Sequence, residues 1–237
     1  MNQDENRTEH APDLAHDLAR DLARDLAGAT ASHRRLIDAV QDLGDPEAAA
    51  PSLLANWSVG HVLTHLARNA DSHVRMIAAA EAGTVADQYE DGTTGRAAEI
   101  ERGAHRPAAE LVDDVVSSID RLEACWGATS PAGWAGEGMT VGGLAPISDL
   151  PFRRWRETEV HHFDLGLGSG LAYGIGCWPD DYVRLELGRL LMQWSSRLPM
   201  GLTQLPVEAT AADDRTRLGW LLGRIEIVGL PPAGIFR

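Results

Sequence analysis

Residues 58–83 read SVGHVLTHLARNADSHVRMIAAAEAG. Val59, Val62, Leu63, Leu66, Ala70, Val74 and Ile77 recur at the 3.6-residue period of an amphipathic helix. Ser58 is a cap residue for its start and Gly83 a stop signal for its end. Such a helix has to bury its apolar stripe against other elements. Three histidines lie on it: His61, His65 and His73. His65 borders the apolar stripe, Asn69 and His73 follow on the same flank, and His61 points further round, toward solvent.

Three more helical stretches surround it. The first runs from about residue 13 to Leu43 and opens with DLAHDLARDLARDLAG, a four-residue repeat that reads as a solvated extension, with Gly28 as an interruption. The third spans Ala97 to Trp126, bent near Pro107. The fourth begins near Pro151. Four long helices with short or medium loops form a bundle. GATSPAGWAGEGMTVGGLAPISDLP, before the fourth helix, is too polar and glycine-rich for regular packing and reads as a connector or a lid. After LGLGSGLAYGIGCW, a linker, come a helix from Pro179 to Leu198, a strand around Leu205 to Ala209, a helix from Arg215 to Arg224, and a strand in IEIVGL. The expected fold is mainly α: a four-helix bundle over residues 1–170 and a small α/β domain over 171–237.

RETEVHHFDL, residues 156–165, carries the chemistry of the fourth helix. At roughly 100° per residue, Phe152, Trp155, Val160 and Phe163 gather on one side. Glu157, His161 and Asp164 gather on another. A carboxylate and an imidazole at i, i+4 can bind one metal ion, and zinc accepts both ligand types. A bundle can bring His65 across to Glu157 and His161, but His61 with His65 is a competing i, i+4 pair, and spacing alone leaves both open. Arg153, Arg154 and Arg156 read first as surface charge and, as the alternative, as positive charge for an anionic substrate. Asp164 suits an acceptor behind a ligand histidine, a helix cap or an arginine partner.

The 237-residue chain has 21 basic and 35 acidic residues, for a formal net charge of −14. That field repels nucleic acid and anionic membranes. Cys125 and Cys177 form no CxxC motif and suit a reducing cytoplasm as small packed residues. MNQDENRTEH has neither a basic n-region nor an apolar h-region, and no run of about 18 apolar residues occurs, so a cytoplasmic protein is expected.

NWSVGHVLTHLARNADSHVRMI and RWRETEVHHFDLGLG together resemble the mycothiol-dependent maleylpyruvate isomerase family, within the DinB-like metalloenzymes, and QYEDGTTGRAAEIERGAHR resembles that family's third-helix entry. The resemblance implies zinc on His65, Glu157 and His161 and a four-helix bundle followed by a smaller α/β domain. It implies mycothiol, the actinobacterial stand-in for glutathione, as the thiol cofactor. It also implies a catalytic arginine from the C-terminal domain, for which Arg224 in WLLGR is the match. The implied reaction turns maleylpyruvate into fumarylpyruvate: a metal-stabilised thiolate adds to the double bond, the resulting single bond rotates, and elimination returns the trans product. Two alternatives stand beside it. One is a mycothiol S-transferase that releases the adduct in detoxification or secondary metabolism. The other is a non-catalytic helical binding protein with a vestigial metal site. The sequence leaves the electrophile and the oligomeric state open.

Overall fold

The computed structural model describes residues 10–167, 173–197 and 204–234, with side chains from residue 16 onward. The chain divides into two compact units, Met1–Leu171 and Ala172–Arg237. Residues 168–172 of the expected linker, Leu198 at the end of the expected helix and the first nine residues lie outside the described residues.

In the first unit, α1 is His10–Val40, α2 is Asp45–Ala49, α3 is Val59–Glu81, α4 is Gly92–Gly103 and α5 is Ala108–Ala128. After α6 (Pro131–Trp134) come β1 (Glu137–Thr140), β2 (Gly143–Pro146) and α7 (Leu150–Asp164). The bundle is made by α1, α3, α5 and α7, with α3 packed chiefly on α5 and α1 on α7. Leu36, Val62, Leu63, Leu66, Leu111, Val115 and Ile119 are sealed in its core, in agreement with the period-3.6 stripe of α3.

The helix signals in α3 operate as expected. Ser58 Oγ accepts from the His61 N–H, and the His61 ring accepts from the Ser58 N–H, a reciprocal cap. Gly83, at φ +70°, takes the left-handed position just past the last turn. Gly28 does not interrupt α1. A Cβ there would lie 2.3 Å from Trp155 Cζ3, so the missing side chain lets α1 and α7 approach across the Trp155 ring. The exposed start of α1, with Leu18 60% accessible, fits a solvated extension.

Several expectations are corrected. The third helix is two helices, α4 and α5, broken before Pro107. Proline has no N–H to continue the ladder and turns the preceding residue away from helical geometry. Asp45 Oδ1 accepts the Ala108 N–H at 2.7 Å and fixes the new start. The glycine-rich connector is regular: β1 and β2 pair antiparallel, with Glu137 opposite Pro146 and Thr140 opposite Gly143, and β1 packs on α3.

In the second unit, α8 is Asp180–Ser195, α9 is Val207–Ala211 and α10 is Asp214–Leu221. Trp194 and Trp220 meet with ring centroids 5.1 Å apart, and Asp213 caps α10 through Oδ1. Among the described residues this unit has no strand. The stretch expected as a strand at Leu205–Ala209 runs into α9, which starts after Pro206, and Ile225–Leu230 is a turn closed by the Leu230 N–H on the Ile227 carbonyl at 3.0 Å. A single short segment with no neighbouring strand has nothing to pair with, whatever its propensity. No helix among the described residues is long and apolar enough to cross a membrane.

Candidate metal centre

The bundle brings α3 and α7 side by side so that His65 faces the polar flank of α7. His65 Nε2 lies 2.9 Å from Glu157 Oε2, and His161 Nε2 lies 3.5 Å from the same oxygen. The two imidazoles meet edge to face with centroids 4.6 Å apart. The three ligand atoms all lie within 4.8 Å of one another. A tetrahedral cation with nitrogen and oxygen ligands holds them about 3.3 Å apart, from bonds of about 2.0–2.1 Å. Donor types and spacing therefore fit a divalent transition metal.

His61, the competing histidine, does not join this cluster. Its Nδ1 faces Ser58 and its Nε2 faces Glu101 Oε2 at 3.3 Å, one turn nearer the start of α3. It is also buried rather than solvent-facing, with Glu101 and His105 at the end of α4 beside it.

The surrounding groups hold these rings in place. His161 Nδ1 lies 2.9 Å from Asp164 Oδ2, and Asp164 is fully buried at the end of α7. Of the roles open to Asp164 in sequence, the geometry is that of the acceptor behind a ligand histidine. On the opposite side, Arg96 Nη2 donates to His65 Nδ1 at 3.1 Å. Arg96 also lies over the rings of Trp57 and Tyr89, at 5.9 and 5.8 Å.

These contacts set the charge state. Burial pushes the His65 ring down to about pKa 4, with the neighbouring His161 adding to it against the opposing pull of Glu157. Burial also lowers His161, but its hydrogen bonds to Asp164 and Glu157 outweigh this and raise it above its ordinary value. Burial alone would raise Glu157; hydrogen bonds from His161 and His65 win and hold it well below the carboxylate range. Glu157 is thus an anion flanked by one neutral and one readily protonated ring. Metal binding requires both rings to be neutral, so it releases a proton from the cluster.

Beneath the cluster lies a group that the sequence reading misplaced. Arg154 is fully buried, not surface charge. Its Nε donates to His33 Nε2 at 2.9 Å, and its Nη1 donates to the Leu66 carbonyl at 2.8 Å and Asn69 Oδ1 at 2.9 Å. Because arginine only donates, His33 must accept at Nε2 and carry its proton on Nδ1, directed at Glu123 Oε1 2.7 Å away. Arg153 and Arg156 are half-buried, with Arg156 over the Phe152 ring at 5.8 Å. Tyr89 is buried and hydrogen-bonded to Arg96 and Asn69; burial is the main cause of its raised phenol pKa. Asn69 was read only as a flank residue beside His65, and Arg96 and Tyr89 were not singled out from the sequence. The available signal for Arg96 and Tyr89 was their place in QYEDGTTGR, within the stretch that resembles the family's third-helix entry.

Arg224 belongs to the second unit, just after α10, where its Nη1 donates to the Leu222 carbonyl at 2.9 Å. The cysteines are outside the cluster: Cys125 is half-buried, its thiol pKa raised by burial, and Cys177 is exposed rather than packed.

The sequence profile described as the Mycothiol maleylpyruvate isomerase N-terminal domain matches residues 29–166, more than half of the chain. The chain belongs to the mycothiol maleylpyruvate isomerase N-terminal domain family. The match contains all three cluster residues. No curated protein matches the chain significantly. A crystal structure described as the mycothiol-dependent maleylpyruvate isomerase aligns with a TM-score of 0.75 at 22% identity, over 86% of this chain and 89% of that one. A histidine-to-alanine mutant of the enzyme of that name aligns with a TM-score of 0.74, at the same identity and coverage. At this identity the likeness establishes the fold that the family shares.

Proposed function

We propose that this chain is a metal- and mycothiol-dependent enzyme that activates a thiolate for addition to an electrophile, and that its reaction is the isomerisation of maleylpyruvate to fumarylpyruvate. The observation that carries the proposal is the convergence of His65, Glu157 and His161 within 4.8 Å in a member of this family. The names of the similar solved structures support the thiol and the substrate class.

In this reading the three side chains hold one divalent cation, with zinc the expected ion because two imidazoles and a carboxylate suit it. When bound, the ion supplies the positive charge that keeps a thiol ionised near neutral pH. Asp164 accepts a hydrogen bond from His161 Nδ1–H, fixes the ring's tautomer and leaves the Nε2 lone pair available to the ion. Arg154, buried under Glu157, keeps positive charge beneath the site; its burial lowers its pKa only to about 10. Arg96 and Tyr89 flank His65 with a cation and a phenolic O–H, the groups needed to bind a carboxylate or a developing enolate in an otherwise acidic protein. Arg224 is proposed as the catalytic arginine of the second unit, on the family resemblance.

The test is a paired assay of the zinc-loaded protein with maleylpyruvate, with and without mycothiol, following substrate by absorbance and mycothiol by mass. Formation of fumarylpyruvate with mycothiol unconsumed is expected. Inertness toward maleylpyruvate, with adducts formed on other electrophiles, would replace the isomerase by an S-transferase. Absence of stoichiometric metal, and indifference to chelators, would remove both.

A further inference from the structure

We propose that His61, Glu101 and His105 form a second, solvent-facing site for a divalent transition-metal ion. The three ligand atoms lie within 4.8 Å of one another, the same limit met by the buried cluster. Glu101 Oε2 is 3.3 Å from His61 Nε2, and Glu101 Oε1 is 3.4 Å from His105 Nε2. The first distance matches the separation of about 3.3 Å that a four-coordinate ion imposes on N and O ligands, and the second shows the other carboxylate oxygen facing His105.

The arrangement repeats the logic of the first site one helical turn away. His61 precedes His65 by four residues on α3. ERGAH, residues 101–105, supplies the same E-x-x-x-H spacing as ETEVH, residues 157–161. Trp57 packs beside both α3 histidines, with centroids 6.1 Å from His61 and 5.8 Å from His65. The two clusters therefore sit on neighbouring turns of one helix, each joining it to a different neighbour. The first joins α3 to α7. The second joins α3 to the end of α4 and the turn that follows.

His61 Nε2 is directed at Glu101, and its Nδ1 accepts the Ser58 N–H at 3.1 Å, which places the ring proton on Nε2. A metal on Nε2 requires the other tautomer, so loading exchanges that cap bond for one from Nδ1–H to Ser58 Oγ, 2.7 Å away. The site differs from the first in exposure: His61 is buried, but the side chains of Glu101 and His105 are each 70% accessible. A hollow of about 380 Å³ lined by Ser58, His105 and Pro107 adjoins it, so solvent can fill the remaining coordination positions. Two imidazoles and one carboxylate select zinc, nickel, cobalt or copper over magnesium and calcium. Two mobile ligands make the site weaker than the buried one.

The test is calorimetric titration of the metal-free full chain with zinc and, separately, magnesium. Wild type is expected to bind two zinc equivalents, one tight and one weaker, and no magnesium at the weaker site. His105→Ala and Glu101→Gln change exposed side chains and leave the bundle intact; each is expected to lose the weaker equivalent and keep the tight one. His65→Ala is expected to do the reverse, and zinc should still raise its melting temperature, because the second site ties α3 to α4. A single equivalent in wild type that His105→Ala leaves unchanged would overturn the proposal. So would two equivalents that both survive His105→Ala. If His65→Ala keeps every equivalent while His105→Ala loses one, the second site stands and the buried site of the proposed enzyme falls.

Discussion

Arg96 Nη2 lies 3.1 Å from His65 Nδ1, on the ring edge opposite Glu157. Arginine can only donate, so this contact requires a bare Nδ1 and places the ring proton on Nε2, toward the carboxylate. A metal on Nε2 requires the opposite tautomer, with a proton on Nδ1 facing the guanidinium. Metal loading therefore turns Arg96 away from His65. The Trp57 and Tyr89 ring faces beside it provide an alternative rest for its charge. Arg96→Met removes the competing hydrogen bond, whose net worth is about 1–1.5 kcal/mol. Zinc affinity measured by chelator competition should rise about tenfold, the equivalent of about 1.4 kcal/mol. Unchanged or weaker zinc binding in that variant would show that the contact does not oppose loading.

Asp164 acts from the other side of the cluster. Its Oδ2 receives His161 Nδ1 at 2.9 Å, and it is fully buried. Asp164→Asn keeps the shape but removes the charge that stabilises the ring's orientation and basicity. Loss of such a partner costs about 10–100-fold in metal affinity. The same competition assay should register that loss while circular dichroism stays that of wild type. Wild-type zinc affinity in Asp164→Asn would separate Asp164 from the site.

Arg154 tests the support below. Three acceptors depend on it: His33 Nε2, the Leu66 carbonyl and Asn69 Oδ1. Arg154→Met fills similar volume and leaves His33 Nε2 and Asn69 Oδ1 buried without that donor, while the Leu66 carbonyl keeps its bond within α3. The expected cost is about 3–5 kcal/mol, as when one partner of a buried ionic network is removed. Arg154→Lys should recover little, because one ammonium cannot reproduce the planar fork that reaches His33 and Asn69 together. Urea unfolding of the metal-free protein measures both, and a midpoint for Arg154→Met close to wild type would contradict this account.

What was legible in the sequence was local. The stripe of α3, its Ser58 cap, its Gly83 stop and the Glu157–His161 spacing follow from one helical turn's geometry, and they survive folding unchanged. What was not legible depended on neighbours distant in sequence. Arg154 sits in the charged run RRWRE, and only the packing of α1 and α3 against α7 buries it. His61 lies off the apolar stripe and is covered by α4, a helix whose start at Gly92 carries no side-chain cap. The hairpin was hidden by its glycines, among them Gly138, whose bare Cα faces the flexible end of Met76 on α3, 2.6 Å from where a Cβ would stand. In the second unit, Val207–Ala211 holds a valine and small residues that suit a strand, but Pro206 starts a helix there.

Acid stability follows from histidines kept neutral away from the candidate metal centre. Burial lowers His33 to about 4 and His73 to about 3, and likewise His162 to about 4. In the unfolded chain each returns to about 6.5. Below pH 6.5 the unfolded state therefore binds protons that the folded state refuses. Stability is full above 6.5 and falls as pH drops toward 4, each histidine contributing up to about 1.4 kcal/mol per pH unit. His161 has the opposite sign: with its pKa raised, its contribution is complete below 6.5 and is lost as pH rises through the folded value. Urea unfolding of the metal-free protein at pH 7 and pH 5 should show a loss of roughly 2 kcal/mol or more at the lower pH. His33→Gln should shrink the pH dependence while lowering stability at pH 7, because the Glu123–His33–Arg154 chain is broken. Equal stability at the two pH values would mean that these rings take up protons without unfolding the bundle.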